Sequence, residues 1–286
     1  CLIGNEMKSF LQKLMFWKSR VPRVALVRLT GIIAAGSSPL KRGLNLDSID
    51  PVLKKAFGMR RIKAVILVIN SPGGSPVQSA LIGARIRQLA KKHDMPVLAF
   101  CEDVAASGGY WLATAADEIF ANNASIIGSI GVISAGFGFP QALEKLGVER
   151  RVYTSGKSKS MLDPFRPEKE EDVQYLQRLQ SDIHQTFIDQ VKSRRGGRLD
   201  ASENELYSGQ FWTGIKAREL GLVDGLGTMH DMLTDRFGDE LEIVAVQPKR
   251  QFFSFSGPAG EAVGRAGADQ LVAHLEERNY WQRYGL

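Results

Sequence analysis

Short runs of consecutive apolar residues alternate with longer segments of helical periodicity in the first half of the chain. The apolar runs predict buried strands over residues 24–29, 64–69, 96–101 and 118–121. Apolar residues at helical spacing predict helices over 46–57, 78–92 and about 107–116. Because strands and helices alternate, we expect an α/β fold, a mostly parallel sheet with helices on both faces.

The second half of the chain is less regular and contains the longest helical pattern. After a segment rich in glycine and β-branched residues, the pattern predicts a helix over 141–146 and a strand over 149–153. Residues 168–195 predict a long helix with one apolar stripe. The stripe consists of Val173, Leu176, Leu179, Ile183, Phe187 and Val191. We expect it to pack against the core or against another subunit.

The pattern divides the chain into three parts. Residues 22–246 form the main domain, and residues 247–286 contain a linker followed by a weak helix over about 261–278. Residues 1–21 are a helical segment or a remnant added to the chain. Within them, 7–20 predict an amphipathic helix that contacts a membrane surface or packs on its own protein. No run of about 18 apolar residues occurs, so we expect no membrane-spanning helix.

Composition and charge narrow the classes of function. Hydrophobic residues make up 44% and charged residues 24% of the 286 residues, as in ordinary globular proteins. The net charge is +6, but the basic residues are scattered, so we expect no nucleic-acid partner. Two cysteines provide neither a disulfide framework nor a metal site, and Cys101 is expected to be a small buried hydrophobe. We therefore expect no metal and no other cofactor.

The glycine-rich turn Asn70-Ser71-Pro72-Gly73-Gly74 directly follows a predicted strand. Paired glycines allow backbone conformations that aim N–H groups at a bound oxyanion. A turn of this composition after a parallel strand is also common without any function.

Ser107 lies between a predicted strand and a predicted helix, within Ala106-Ser107-Gly108-Gly109-Tyr110. This position is at the carboxyl edge of the sheet, where open α/β folds place ligands, and the amide of Gly108 is beside it. Ser107 is therefore a candidate nucleophile. A serine that only caps a helix would occupy the same position.

The general base for such a serine is more plausibly a lysine than a histidine. The four histidines, His93, His184, His230 and His274, are not next to glycine-rich or strand-end motifs. The segment 154–165 contains Lys157 and Lys159. A lysine acts as a base at neutral pH only when it is dehydrated or near positive charge, and it needs a hydrogen-bond partner such as Ser129.

Four motifs in this order resemble the signal peptide peptidase A family over about residues 22–246. They are Asn70 to Gly74, Ala106 to Tyr110, Ile127 to Val132 with Ser129, and Ser155 to Ser160. The segment from Trp212-Thr213-Gly214 through Gly221-Leu222-Val223-Asp224 is also similar to that family.

The resemblance implies a ClpP/crotonase-like fold and a serine protease with a Ser/Lys dyad. Ser107 would be the nucleophile, Lys159 the base, with Lys157 as its rival, and Ser129 would orient the base. The amides of Gly74 and Gly108 would form the oxyanion hole. The substrates would be hydrophobic peptides such as cleaved signal peptides.

The resemblance also implies a homo-oligomeric ring in which Ser107 of one subunit meets Lys159 of its neighbour. We expect a location in the cytoplasm or peripherally at the cytoplasmic membrane, since the N-terminal anchor common in the family is missing from this sequence. Two other hypotheses remain: a crotonase-like acyl-CoA enzyme, and a peptide-binding scaffold without catalysis.

Overall fold

The computed structural model describes residues 21–38, 41–247, 278 and 280–286. Its strands are β1 (Arg23–Thr30), β2 (Ser37–Ser38), β3 (Lys41–Arg42), β4 (Ile62–Ser71), β5 (Val97–Ala106), β6 (Glu118–Ala121), β7 (Ile126–Gly128), β8 (Phe211–Thr213), β9 (Gly225–Leu226) and β10 (Glu242–Ala245). Its helices are α1 (Leu46–Phe57), α2 (Pro76–His93), α3 (Gly108–Ala113), α4 (Pro140–Lys145), α5 (Glu170–Arg195), α6 (Glu203–Leu206), α7 (Gly214–Glu219) and α8 (Met229–Phe237).

A parallel sheet in the order β10-β1-β4-β5-β6-β9 forms the centre of the molecule. Alternate residues of β4 enter two different apolar clusters: Val65 and Leu67 belong to one, and Ala64 and Ile66 to the other. Because both faces are covered, the strand is apolar at successive positions, as its sequence predicted. The α/β prediction is confirmed.

Strand β5 carries two partners along one edge. Its first half, Leu98 to Cys101, pairs with β6, and its second half, Val104 to Ala106, pairs with β7. The register to β4 breaks between these halves, and the side chain of Asn70 bridges the break. Its amide donates to Asp103 at 2.6 Å and its oxygen accepts from the N–H of Val104 at 3.2 Å. This bend brings the end of β5 beside the end of β7.

Residues 133–169 form a segment that we call the arm, which leaves the sheet after β7 and leads into α5. Helix α4 is its regular element, close to the prediction of a helix over 141–146. The predicted strand over 149–153 is wrong: these residues are irregular and mostly exposed. No strand among the described residues pairs with this segment, so it has no ladder to join.

Helix α5 confirms the predicted long helix, and its apolar stripe divides into two parts. Phe187 and Val191 are buried in the core, and Phe187 stacks on Trp111 with ring centroids 4.9 Å apart. Leu179 and Ile183, nearer the arm, keep 41% and 39% of their surface exposed. The stripe therefore packs on the core at one end and leaves apolar surface uncovered at the other.

Two predicted helices lie outside the described residues: the one over 7–20, and the one over about 261–278 apart from residue 278 itself. None of the helices that the structure describes is both long and apolar enough to cross a membrane.

Candidate active site

Ser107 occupies a sharp turn between β5 and α3. Its backbone has φ 52° and ψ −124°, a conformation that a residue with a Cβ rarely adopts. Its N–H donates to the carbonyl of Gly128 at 2.8 Å, which ties the turn to β7. The Ser107 side chain makes no capping hydrogen bond to α3. Ser107 is thus the N-cap residue of α3 by position, but its hydroxyl does not cap the helix.

The turn after β4 lies against the turn at Ser107. Gly73 has φ +100°, and a Cβ there would lie 2.8 Å from both the amide nitrogen of Gly108 and the Cβ of Ser107. Gly74 has φ +139°, and a Cβ there would lie 2.1 Å from the carbonyl oxygen of Ile33. The two glycines thus allow one backbone to approach another at the nucleophile. Within the described residues, neither the Gly74 nor the Gly108 N–H has a hydrogen-bond acceptor.

Ser71 and Asn70, which the sequence interpretation treated only as part of the turn, hold that turn in place. The hydroxyl of Ser71 donates to the carbonyl of Gly31 at 2.7 Å and accepts from the N–H of Gly73 at 3.2 Å. Asn70 fills the break in β5 described above. Their side chains satisfy backbone groups that the glycine turn would otherwise leave unpaired.

Ser129 follows β7 and is buried, with 4% of its surface exposed. Its φ is +52°, and its N–H donates to the carbonyl of Gln210 at 2.6 Å. The preceding Gly128 has φ +107°, and a Cβ there would lie 2.7 Å from the ring of Trp212 on β8. Antiparallel pairing of β7 with β8 therefore sets the position of Ser129.

A cavity of about 440 Å³ contains both serines. It is lined by Pro72, Gly74, Pro76, Ser107, Ser129, Gly131, Val132, Ile133, His184, Ser208, Gly209, Tyr280 and Arg283. A smaller apolar depression beside Ser107 is lined in part by Trp111, Val132, Ile183 and Phe187. The nucleophile thus has an open cavity on one side and a small apolar pocket on the other.

Lys159 does not line the cavity of Ser107 in the chain described here. It lies in a turn of the arm, its side chain is exposed, and its N–H donates to the carbonyl of Gly156 at 3.2 Å. Lys157, the rival base, is also exposed in the same turn. One chain therefore brings together Ser107, Ser129, Gly74 and Gly108, but not the lysine.

The arm near Lys159 is anchored to α5. The N–H of Leu162 donates to the carboxylate of Asp172 at 3.2 Å. The Asp163 carboxylate accepts from the N–H of Phe165 and from Arg150, which hold its pKa below the usual value. These contacts fix the turn that carries Lys159.

His184 on α5 is a cavity residue that the sequence interpretation set aside. A ring nitrogen lies 3.1 Å from the carbonyl oxygen of Ile130, the residue after Ser129. Tyr284 is another residue that was missed, since its hydroxyl is 3.4 Å from Oγ of Ser129. No sequence pattern links these residues to Ser129, because the contacts span 54 and 155 positions of the chain.

No cluster of three or more histidine, cysteine or acidic side chains in the described residues is arranged to hold a metal ion. Cys101 is a buried residue of β5, and burial raises the pKa of its thiol to about 12. Its predicted role as a small buried hydrophobe is confirmed.

The chain is similar in sequence to several longer proteins. The chain is 50% identical over 272 residues to a protein of Brucella abortus named Na(+)/H(+) antiporter NhaA, covering 92% of the chain and 37% of that protein. It is 34% identical over 209 residues to the chloroplastic serine protease SPPA of Arabidopsis thaliana, covering 72% of the chain and 30% of that protein. It is 33% identical over 219 residues to Protease 4 of Haemophilus influenzae, covering 73% and 33%.

The chain thus spans about a third of the length of these three relatives, so their names describe longer proteins. Among solved structures, a mutant of a membrane-bound stomatin-specific protease, 1510-N, matches with a TM-score of 0.50. The alignment covers 80% of this chain and 98% of the protease chain, at 17% sequence identity. This similarity supports the predicted ClpP/crotonase-like fold.

A model of peptidase family S49 matches residues 89–237, slightly more than half of the chain. The matched region contains Ser107, Ser129 and Lys159, and Gly74 lies before it. Relatives of the signal peptide peptidase A type agree with this match. The chain therefore belongs to peptidase family S49.

Proposed function

We propose that the protein is a serine endopeptidase that cleaves hydrophobic peptides through an acyl-enzyme, with Ser107 as nucleophile and Lys159 as general base. The conformation of Ser107 carries this proposal. Its strained backbone between a strand and a helix resembles the turn on which other hydrolases expose a nucleophile. Its hydroxyl does not cap α3, and it is half-buried at a cavity. Family membership supports a peptidase over an acyl-CoA enzyme or a scaffold.

The two amides beside Ser107 support the stabilisation of an oxyanion. When Oγ of Ser107 bonds to the peptide carbonyl carbon, the C=O electron pair moves to oxygen, and the N–H groups of Gly74 and Gly108 donate to it. The hydroxyl proton of Ser107 passes to the neutral amine of Lys159. The intermediate then collapses, the C–N bond breaks, and Lys159 returns the proton to the leaving amine. Water repeats these steps on the ester and releases the second product.

The lysine must come from a second copy of the chain in this proposal. Lys159 is exposed on the arm and is absent from the lining of the Ser107 cavity in its own chain. Burial beside the Ser107 of a neighbour would remove water from the amine, as a lysine that acts as a general base requires. Ser129 is buried and lines the same cavity, so its hydroxyl would accept a hydrogen bond from Nζ of Lys159.

The surface of the arm supports assembly. Its exposed large apolar side chains include Phe137 and Tyr153, which keep 82% and 89% of their surface accessible, and Leu146 and Val148 are exposed as well. Phe137 also lies beside Phe139, with ring centroids 6.4 Å apart, and apolar side chains that cluster on the surface are typical of interfaces. Leu179 and Ile183, at the uncovered end of the α5 stripe, follow Asp172 on the same helix, and Asp172 is the residue that binds the arm.

The apolar pocket beside Ser107 supports a preference for apolar side chains next to the cleaved bond. Trp111, Val132, Ile183 and Phe187 provide its walls. A cleaved signal peptide is rich in apolar residues and would suit it. A polar residue at this position would lose its water without gaining a hydrogen bond from these walls.

Mixing two inactive variants tests the proposal. Ser107→Ala and Lys159→Ala should each abolish hydrolysis of an apolar peptide ester. When the two variants are unfolded together and refolded as mixed assemblies, some sites will combine an intact Ser107 with an intact Lys159. We expect activity to return to up to about a quarter of wild type if pairing is random.

Lys157→Ala is the matched control, since it removes an exposed lysine from the same turn, and it should retain activity. Activity in either single alanine variant of the dyad would contradict the chemistry. Two inactive variants that fail to complement, although both assemble, would show that the dyad does not form between subunits.

A further inference from the structure

The segment 280–286 reaches back to the Ser107 cavity. Tyr280 and Arg283 line that cavity, and Trp281 packs against a cluster that contains Val104 and Ala106 of β5. Tyr284 belongs to the same cluster and keeps 9% of its surface exposed. Its ring meets the ring of Phe211 edge-on, with centroids 5.1 Å apart. The Tyr284 side chain is therefore held on one side by β5, which ends just before Ser107, and on the other by β8, which pairs with the strand that precedes Ser129.

The hydroxyl of Tyr284 contacts the hydroxyl of Ser129. The two oxygens are 3.4 Å apart, and both side chains are buried. Within the described residues, this is the only hydrogen bond that the structure gives to Oγ of Ser129. A serine hydroxyl has one donor and two acceptor sites, so a bond from Tyr284 leaves one acceptor site free for an amine.

We propose that Tyr284 is a positioning residue that holds the hydroxyl of Ser129 in the orientation needed to receive the amine of Lys159. The inference rests on the proposed function, in which Ser129 orients the base. The backbone of Ser129 is already fixed by its hydrogen bond to Gln210 and by the pairing of the preceding strand, β7, with β8. The bond from Tyr284 restrains rotation of the Ser129 side chain about χ1, which sets the position of Oγ.

The physical reason is that the Ser129 hydroxyl would be free to rotate without a hydrogen-bond partner. A serine side chain has three staggered rotamers, and a buried polar group without a partner is destabilised. Without Tyr284, the Ser129 hydroxyl would sample orientations that do not face the cavity. The base would then be held less often in the position from which it accepts the Ser107 proton, which lowers the rate of acylation more than substrate binding.

A double-mutant cycle tests this role in the full chain. Tyr284→Phe keeps the ring against Phe211 and removes only the hydroxyl. We expect kcat for an apolar peptide ester to fall about tenfold, which corresponds to the free energy of one hydrogen bond. KM should stay within about twofold of the wild-type value. Ser129→Ala should lower kcat at least as much. Because Tyr284 acts through Ser129, the double variant should be no slower than Ser129→Ala alone.

The pH profile gives a second readout that a purely structural role would not change. The acidic limb of kcat/KM reports the pKa of the base in the free enzyme. Tyr284→Phe and Ser129→Ala should shift this limb in the same direction. Tyr207→Phe is the matched control: Tyr207 is similarly buried, is absent from the cavity lining, and should leave both kcat and the pH profile unchanged.

Several results would overturn the inference. Additive losses in the double variant would show that Tyr284 acts independently of Ser129. Increased activity in Tyr284→Phe would show that the segment obstructs the site. If Tyr284→Phe resembles wild type while Ser129→Ala is slow, the inference fails and the proposed function stands. If Ser129→Ala is as fast as wild type while Ser107→Ala is inactive, both the role of Ser129 and this inference fail, and the nucleophile stands.

Discussion

At the scale of single residues, left-handed backbone conformations are concentrated around the nucleophile. Gly73, Gly74, Ser107, Gly128 and Ser129 all have φ between 52° and 139°. Such conformations cost free energy for residues with a side chain and persist only where surrounding contacts enforce them. Hydrogen bonds from Ser107 to Gly128 and from Ser129 to Gln210 provide that enforcement. The site is therefore built by the backbone as much as by its side chains.

Gly73→Ala should abolish peptide hydrolysis. The new Cβ would lie 2.8 Å from both the amide nitrogen of Gly108 and the Cβ of Ser107, so one of the two turns must move. At φ +100° it also adds backbone strain, and we expect a loss of stability of about 1–3 kcal/mol. Hydrolysis assays and urea unfolding measure the two effects.

Gly136→Ala is the control for that substitution. Gly136 lies in the arm without a left-handed φ, and nothing lies within 4 Å of the position that a Cβ would take. Its stability should be within about 0.5 kcal/mol of wild type. An active Gly73→Ala variant would show that the amide of Gly108 needs no close approach from the preceding turn.

Cys101 should be unreactive in the folded protein. Its pKa is raised to about 12 by burial, so at pH 8 almost none of it is the thiolate that reacts with disulfide reagents. In a Cys1→Ser variant, where Cys101 is the remaining thiol, we expect labelling with Ellman's reagent only after addition of denaturant. Rapid labelling under native conditions would show that β5 opens to solvent.

The sequence predicted residues that carry local chemistry and missed those that act across the fold. Ser107, Ser129 and the paired glycines stand out because each is next to a strand end or in a glycine-rich motif. His184 and Tyr284 approach Ser129 only after the sheet has formed, and nothing near them in sequence marks them. The burial of Tyr284 depends on Phe211 of β8 and on Val104 and Ala106 of β5, which meet it through tertiary packing.

At the scale of elements, the strands were predicted where both faces are buried and misjudged where polar residues interrupt them. Strand β5 was expected to end at Cys101, but it continues through Glu102 and Asp103 to Ala106. Glu102 forms an ion pair with Arg28 at 2.8 Å, and Asp103 accepts from Asn70. Polar contacts with neighbouring strands thus allow two adjacent acidic residues inside β5. The hydrophobic pattern of the sequence alone cannot indicate that the strand continues through them.

The end of α5 is joined to the sheet by a buried ion pair. The Arg195 side chain is 1% exposed and contacts Asp224 at 2.7 Å, and it also donates to the carbonyl of Gly221. Asp224 accepts from the N–H of Ile119 on β6 at 2.7 Å. Asp224→Ala would leave the guanidinium buried without its partner. We expect a loss of about 3 kcal/mol in the free energy of unfolding.

Glu219→Ala provides the comparison for Asp224→Ala. Glu219 pairs with Lys216 at 3.0 Å on the exposed surface of α7, where solvent screens the interaction. Its loss should change stability by less than about 0.5 kcal/mol. Urea denaturation of both variants tests the difference, and equal effects would contradict the importance of burial at Asp224.

At the scale of the whole molecule, the parts of the proposed dyad lie on different surfaces of one chain. Ser107 and Ser129 lie in the cavity at the sheet edge, whereas Lys159 is exposed on the arm. The hydrogen bond from the N–H of Leu162 to Asp172 holds the arm to α5, and the bonds of Asp163 to Phe165 and Arg150 lie within the arm itself. An assembly that joins the arm of one copy to the cavity of another would have two effects. It would complete the site, and it would cover the exposed aromatic side chains of the arm.

Assembly through the arm therefore predicts that one exposed substitution will remove both oligomerisation and activity. Phe137 is 82% exposed, so Phe137→Glu should leave the unfolding midpoint nearly unchanged while placing a charge in the interface. We expect sedimentation velocity to show a folded monomer that does not hydrolyse the peptide ester. Ile215→Glu, which places the same charge on the exposed surface of α7 outside the arm, should remain assembled and active. A Phe137→Glu protein that sediments as a monomer and still cleaves would show that one chain contains the whole site.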